Sequence, residues 1–186
     1  MVLLKFREKI MNVYIRKGLM SDADELGRLY DDLNDYSTEN INYCGFKKGI
    51  YPTRADAVKG IEENNLYVAI KEDVIVGSLI LRHKPEEAYN TVCWKKDLTY
   101  DKVLVIYTFV VHPNYANQGV GSKLLEFAEE LAKEEGVESL RLDVYSTNLP
   151  AIHVYEKNNF EYIDTVDLGL EEYGLKWFKL YEKLIY

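Results

Sequence analysis

The sequence predicts an α/β fold with a mixed central sheet, a parallel pair of strands in its middle, antiparallel strands towards both ends and helices on both faces. Three observations carry this. Val103-Leu-Val-Ile-Tyr-Thr-Phe-Val-Val111 is an apolar run rich in β-branched residues, which is how a strand buried on both faces reads. Gly119-Val-Gly121 then opens a segment in which Val120, Leu124, Ala128 and Leu131 recur at helical spacing. Ser139-Leu-Arg-Leu-Asp-Val-Tyr145 alternates apolar and polar residues, as a second strand should. A strand, a helix and a strand in succession form a βαβ unit, so the two strands are expected to be parallel neighbours with a right-handed crossover.

The remaining elements follow in order. Residues 1–10 are expected to be an N-terminal extension, too short and too charged for a signal peptide, ahead of a single domain over residues 11–186. A first strand starts at Val13. Ser21-Asp-Ala-Asp24 reads as a helix start, with acidic residues at the positive end of the dipole and Ala23, Leu26, Tyr30 and Leu33 as the apolar stripe. Residues 36–51 are polar and aromatic with Gly45 and Gly49, and are expected to form a loop. Thr53 caps a second helix to about Glu63, with Val58 and Ile61 facing inward. Residues 66–70 and 74–81 form a hairpin around a tight turn at Glu72-Asp73. The connection over residues 82–101 is long, and long ordered connections tend to be functional.

Past the apolar run, Pro113 cannot donate to a ladder and ends the strand. Past the second strand, Asn148 is suited to cap a helix, Pro150 to its first turn, and Asn159 to the left-handed residue that ends it. Residues 160–166 and 175–184 read as a second antiparallel pair joined by a linker over 169–174. No internal repeat or low-complexity tract interrupts the chain.

Charge narrows the partners. Lys and Arg number 23 against 31 Asp and Glu, a formal net charge of -8. Such a surface repels nucleic acid and anionic lipid and favours cationic substrates. No apolar run approaches the roughly 20 residues that span a bilayer. Cys44 and Cys93 lack metal-ligand spacing, and two free thiols in a cytoplasmic protein are the simplest account. Neither a membrane, nor nucleic acid, nor a metal is therefore expected as a partner.

The glycine loop is the chemically suggestive element. The first turn of a helix has amide N–H groups without partners, the dipole is positive there, and glycine allows an anion close to the backbone. The same glycines serve a plain strand-to-helix turn, and the loop alone does not decide between the two. Spacing excludes two phosphate loops: Ser122-Lys123 follows Gly121 where a Walker A loop needs Lys then Ser or Thr, and a dinucleotide fingerprint needs glycine where Leu124 stands.

Taken together, Val111-His-Pro113, Gly119-x-Gly121, Asn148-x-x-Ala151-x-x-x-Tyr155 and Asn159-Phe160 stand in the order and at the separations of one family. The chain resembles the GCN5-related N-acetyltransferases over nearly its whole length. Two positions depart from that pattern. Ala116 stands where the loop usually carries Gln or Arg, and Asn159 replaces the glycine before the final Phe, a mild change because Asn tolerates positive φ.

The resemblance implies a single domain whose central parallel strands splay apart to hold acetyl-CoA as co-substrate. It implies that the backbone of Phe109, Val110 and Val111 pairs with the pantetheine arm like an added strand. It places the diphosphate on amides from Asn117, Gln118, Gly119, Val120, Gly121 and Ser122, and gives Asn148 a hydrogen bond to the arm. A backbone N–H near Val111 is expected to stabilise the oxyanion. Tyr155 is expected to be the general acid, since a phenol is protonated at neutral pH and can give its proton to a departing thiolate.

The resemblance does not supply a base. Many relatives carry Glu at the position of Tyr107, with Thr108 next to it here, and neither is a base at neutral pH. A water chain, Glu39, a carboxylate from the 82–101 connection, or His112 are the alternatives; His153 faces another way from Tyr155 on its helix. Tyr36, Tyr43, Trp94 and Tyr107 are candidates to line an acceptor pocket, and Asp35 and Glu39 to bind an amine. The expectation is an acetyl-CoA-dependent N-acetyltransferase acting on a primary amine of a small molecule or peptide in a ternary complex, as a monomer or homodimer. A non-catalytic acyl-CoA-sensing module is the alternative, kept open by Ala116 and Tyr107.

Overall fold

Seven strands order as β1-β2-β3-β4-β5-β7-β6 in a computed structural model that describes residues 13–186. They are β1 (Val13–Lys17), β2 (Leu66–Lys71), β3 (Val74–Arg82), β4 (Val103–Val111), β5 (Ser139–Tyr145), β6 (Glu161–Asp167) and β7 (Trp177–Leu184), with helices α1 (Ala23–Glu39), α2 (Arg54–Glu62), α3 (Val120–Glu134) and α4 (Leu149–Lys157). The expected extension over residues 1–10, and the start of the domain at residue 11, lie outside the described residues. β4 and β5 are parallel and every other neighbouring pair is antiparallel, as the sequence predicts.

Local chemistry places most of these elements. Glu72 and Asp73 take φ of 51° and 63°, the positive values a two-residue hairpin turn needs. The Thr53 side chain accepts from Asp56 N while the Asp56 carboxylate accepts from Thr53 N, a reciprocal cap at the start of α2. Asn148 accepts from Ala151 N, and Asn159 has φ of 65°. Both caps of α4 are thus where the residue types put them.

The helices cover the two faces. α3 and α4 bury Leu124, Ala128, Ile152 and Tyr155 against Leu104, Ile106, Leu140 and Leu142. α1 and α2 bury Leu26, Tyr30 and Ala57 against Leu66, Val68, Ile80 and Val110 on the other face. On that second face the 82–101 connection covers the far end, where Tyr89 packs on Val103, Val105 and Leu180.

Two expectations are corrected. Residues 36–39 belong to α1 and not to a loop, because Thr38 Oγ1 donates to Asn34 O at 2.9 Å and Asn40 Nδ2 closes the end on Tyr36 O at 2.9 Å. On α2 the fully buried positions are Ala57 and Gly60; Ile61 packs partly buried against the core as expected, while Val58 is only half-buried. A Cβ on Gly60 would stand 2.9 Å from Ile80 Cδ1, so the close approach of α2 to the sheet selects small residues at the contact. The tail pair also has a topology the sequence did not reveal. β7 takes the place beside β5, and β6, which is mostly exposed, becomes the polar edge.

One irregularity positions everything that follows. β4 and β5 pair only from Val103↔Ser139 to Ile106↔Leu142. Beyond that point β4 carries one extra residue against β3, since Ser78 to Ile80 on β3 opposes Val110 to Tyr107 on β4. The extra residue is a β-bulge with Thr108 at φ of 46°, held from outside by a 2.7 Å hydrogen bond between Tyr51 OH and Thr108 Oγ1. The bulge bends β4 away, and the two parallel strands part at Tyr107 and Asp143.

Candidate active site

The fork between β4 and β5 opens into a cleft of about 1390 Å³ that runs across the sheet from the α3–α4 side to the α1–α2 side. Every predicted cofactor residue except Gln118 lines it. Gln118 turns its side chain away, accepting from Lys71 Nζ at 3.2 Å and donating to Asn114 O at 3.0 Å. Ala116 presents only a methyl to the cleft.

At one end stands the first turn of α3. Gly119 caps it at φ of 85°, two residues after Asn117 at 58°, so two left-handed residues turn the loop into the helix. The first backbone bond of the helix runs from Lys123 N to Gly119 O at 3.0 Å, so the N–H groups of Val120, Gly121 and Ser122 precede the ladder. A Cβ on Gly121 would sit 3.3 Å from Phe109 Cζ and 3.4 Å from Val154, which is why α3 can begin hard against β4. This end of the site is a cradle of bare amides with a positive dipole behind it.

Tyr155 lies at the middle of the cleft. Its ring is 5% exposed and packs against Phe109, Phe160 and Tyr181 at centroid distances of 5.5, 6.0 and 6.4 Å. Its hydroxyl makes no hydrogen bond with another described residue, and the residue lines the cleft. Burial, followed by the charges of Asp143 and Tyr51, holds this phenol well above the usual tyrosine value, so it stays protonated at neutral pH. Asn148 lines the same stretch; its Oδ1 is committed to the α4 cap and its amide nitrogen has no partner among the described residues.

The opposite wall is where sequence reasoning missed a residue. Asp143 on β5 lines the cleft one position beyond the last paired residue of the fork. Its Oδ2 accepts from Tyr89 OH at 2.8 Å, and no hydrogen bond from another described residue reaches its Oδ1. Burial and the neighbouring Glu86 push its carboxyl up to about 6, against an ordinary 3.8. The signal was present: a strand covered on both faces cannot carry Arg141 and Asp143 without giving each a partner or a purpose.

The other candidates divide. Tyr36, Tyr43 and Tyr107 line the cleft. Trp94 does not: the Arg141 guanidinium lies 4.1 Å above its ring and its Nε1 donates to Tyr89 O. Tyr107 donates to Lys84 O at 2.9 Å, and burial together with Glu86 and Asp143 pushes its phenol far up, so it offers no base. His112 caps a short turn, with Nδ1 accepting from Asn114 N at 3.1 Å and Nε2 3.2 Å from Asp32, outside the cleft lining. Asp35 is paired with Lys48 at 2.6 Å, and neither it nor Glu39 lines the cleft. From the 82–101 connection, Glu86 does line it. Among the described residues no group of three or more His, Cys, Asp or Glu is placed to hold a metal ion, and no helix is long and apolar enough to cross a membrane.

The sequence profile of the Acetyltransferase (GNAT) family matches residues 26–160. A streptothricin acetyltransferase of Streptomyces lavendulae is 33% identical over 75 residues, which is 40% of this chain and 36% of that protein, so the chain spans about a third of that relative's length. A GNAT-family acetyltransferase of Streptococcus pneumoniae superposes with a TM-score of 0.67 at 25% identity, covering 94% of this chain and 99% of that one. One from Streptococcus agalactiae gives 0.75 at 17% identity over 94% and 96% of the two chains. The protein yncA of Salmonella typhimurium, solved with its cofactor acetyl-CoA, gives 0.68 at 14% identity, covering 94% of each.

Proposed function

The chain belongs to the acetyltransferase (GNAT) family, and from that premise we propose that it transfers an acetyl group from acetyl-CoA directly to a primary amine of a small molecule or peptide. The observation that carries this is the Tyr155 hydroxyl, protonated, without a partner among the described residues and placed at the cleft where β4 and β5 part. A merely structural tyrosine at this depth would end on a hydrogen-bond partner.

The residues present fit the co-substrate. The amides of Val120, Gly121 and Ser122, reached past Gly119, bind a diphosphate. The edge of β4 from Phe109 to Val111, no longer paired with β5, takes the amides of the pantetheine arm as a strand would, with Asn148 adding a side-chain amide. Acetyl-CoA supplies an activated thioester when bound. A main-chain donor near Val111 holds the carbonyl oxygen, and Tyr155 gives its proton to the departing sulfur. With Ala116 in the loop, the grip falls on main-chain amides. Tyr107, where many relatives carry a base, leaves that role to another group.

On the α1–α2 side, Tyr36, Tyr43, Tyr51 and Tyr107 line the cleft with Glu86 and Asp143, an aromatic and acidic lining of the kind that receives a cation. An acceptor carrying an ammonium suits that wall. The similarity to a streptothricin acetyltransferase is partial, so its named substrate enters as one member of a panel. Isothermal titration with acetyl-CoA, then thiol release against streptothricin, polyamines, aminoglycosides, amino acids and peptides, tests the reading. Binding with turnover of at least one amine supports it; binding without any turnover leaves the sensing module; no binding removes both.

A further inference from the structure

We propose that the Asp143 carboxylate is the general base of this cleft, taking the proton from the acceptor's ammonium at the point where β4 and β5 part, with Tyr89 as its positioning residue. This rests on the cleft being an acetyl-transfer site. An amine must be neutral to attack, and three groups near the central strand are ruled out as its base by their surroundings. Tyr107 is a phenol held protonated, Thr108 is tied to Tyr51, and His112 is tied to Asn114 and Asp32 away from the cleft.

Asp143 has the opposite situation. It stands at the apex of the fork, on the cleft side of β5, with Tyr155 on the other side of the same opening. One oxygen is fixed by the fully buried Tyr89, which sets the direction of the carboxylate; the other takes no hydrogen bond from another described residue. The groups facing it are acidic or neutral: Glu86 and Tyr89 from the 82–101 connection, Tyr107 from β4, Tyr51 from the α1–α2 loop and Tyr155 from α4, while β7 presents Leu180. The nearby cation Arg82 is paired with Glu63 and lies over the Tyr107 ring, so it does not neutralise Asp143. A carboxylate so placed titrates close to the working range of a general base.

The ammonium R–NH3⁺ gives one proton to Asp143. The free amine forms the C–N bond at the thioester carbonyl, the C–S bond breaks, and the sulfur takes the Tyr155 proton. The nitrogen sheds its second proton, the equivalent of which restores the phenol, and Asp143 returns its own to solvent. One proton is released per amide formed.

The test uses the full chain and whichever amine it acetylates. Wild-type kcat/KM should fall on an acid limb near pH 6. Asp143→Asn should lose about 100-fold or more at pH 7 and keep its affinity for acetyl-CoA, and Asp143→Glu should restore part of the rate. Tyr89→Phe removes a bond that favours the charged carboxylate, so the limb should move to higher pH; Glu86→Gln removes a neighbouring negative charge, so it should move to lower pH. A second readout needs no turnover: the carboxyl carbon of Asp143, assigned by its absence in Asp143→Asn, should titrate near pH 6 in a carbon-13 spectrum. An active wild type with an equally active Asp143→Asn, or a titration midpoint below about pH 4.5, overturns the base and leaves the acetyltransferase reading standing. Loss of activity in Glu86→Gln but not in Asp143→Asn assigns the role to Glu86 and overturns it as well. A wild type that binds acetyl-CoA and acetylates nothing removes the activity, and the base with it.

Discussion

Two carboxylates meet β5 from the same covered face of the sheet, and the fold treats them oppositely. Glu182 on β7 is fully buried and fully matched. It accepts from Arg141 Nε at 2.9 Å, Ser139 Oγ at 2.7 Å and Lys95 N at 2.8 Å, and Arg141 is itself stacked on Trp94. Asp143, two residues beyond Arg141, receives the neutral Tyr89 phenol and its own backbone amide, and among the described residues no cation is bonded to it. Below the fork the chain completes every valence of a buried charge; above it, one is left half-satisfied beside a cleft. The fold can evidently build a closed ion pair on this strand, so the open carboxylate marks where structure gives way to chemistry.

If that contrast holds, substitutions below the fork should move stability and those above it should move binding or rate. The largest stability effect should come from Glu182→Ala, which leaves Arg141 buried and unpaired. A cost of about 3–5 kcal/mol is expected, read as a fall in Tm on the order of 10 °C or as failure to fold. Retention of wild-type Tm would collapse the comparison. Tyr155→Phe should lower kcat by about 100-fold or more with acetyl-CoA affinity unchanged by calorimetry; full activity would return this ring to the core it packs in. Gly119→Glu should weaken acetyl-CoA binding by about tenfold or more, through a negative charge at the amide cradle and a side chain at positive φ. Equal affinity would detach the α3 first turn from the diphosphate.

The smaller effects sharpen the boundary. Tyr51→Phe removes the hydrogen bond that holds Thr108 in the bulge and should cost about 1 kcal/mol, a fall of roughly 2–4 °C. Because the bulge opens the fork, this variant should also raise KM for the acceptor, which distinguishes it from an ordinary core loss. The least is a pH effect on Asp143. Its folded value, about 6, lies above the ordinary 3.8, so the folded chain holds that proton more tightly. The stabilisation from that proton is complete below about pH 4 and lost as pH rises through about 6. Asp143→Asn should therefore match wild type in Tm at pH 4 and exceed it by a few degrees or less at pH 7.5; the reverse order would contradict a raised carboxyl.

How much of this was legible in the sequence follows from the range of the interaction concerned. Hairpin turn, helix caps, the βαβ unit and the glycine loop are set by residues within a few positions of one another, and Glu72-Asp73, Thr53, Asn148 and Asn159 do what their residue types require. Val103–Val111 announced a buried strand because its composition admits little else. The ordered motif also placed Tyr155 and the α3 cradle in one cleft.

The rest depended on partners far along the chain. Nothing local tells that Thr108 adopts φ of 46°, because Tyr51, 57 residues earlier, holds it there. Trp94 looked like a pocket residue and became the lid of Arg141, and β7 rather than β6 reached β5, since only the assembled sheet ranks which strand is apolar enough to lie inside. Asp143 was an ordinary polar position of an alternating strand until a phenol 54 residues away and a fork in the sheet gave it an environment. Sequence determines what each segment can become through short-range geometry and apolar pattern; the charge state and reach of a side chain are properties of its surroundings, and those exist only once the chain has folded.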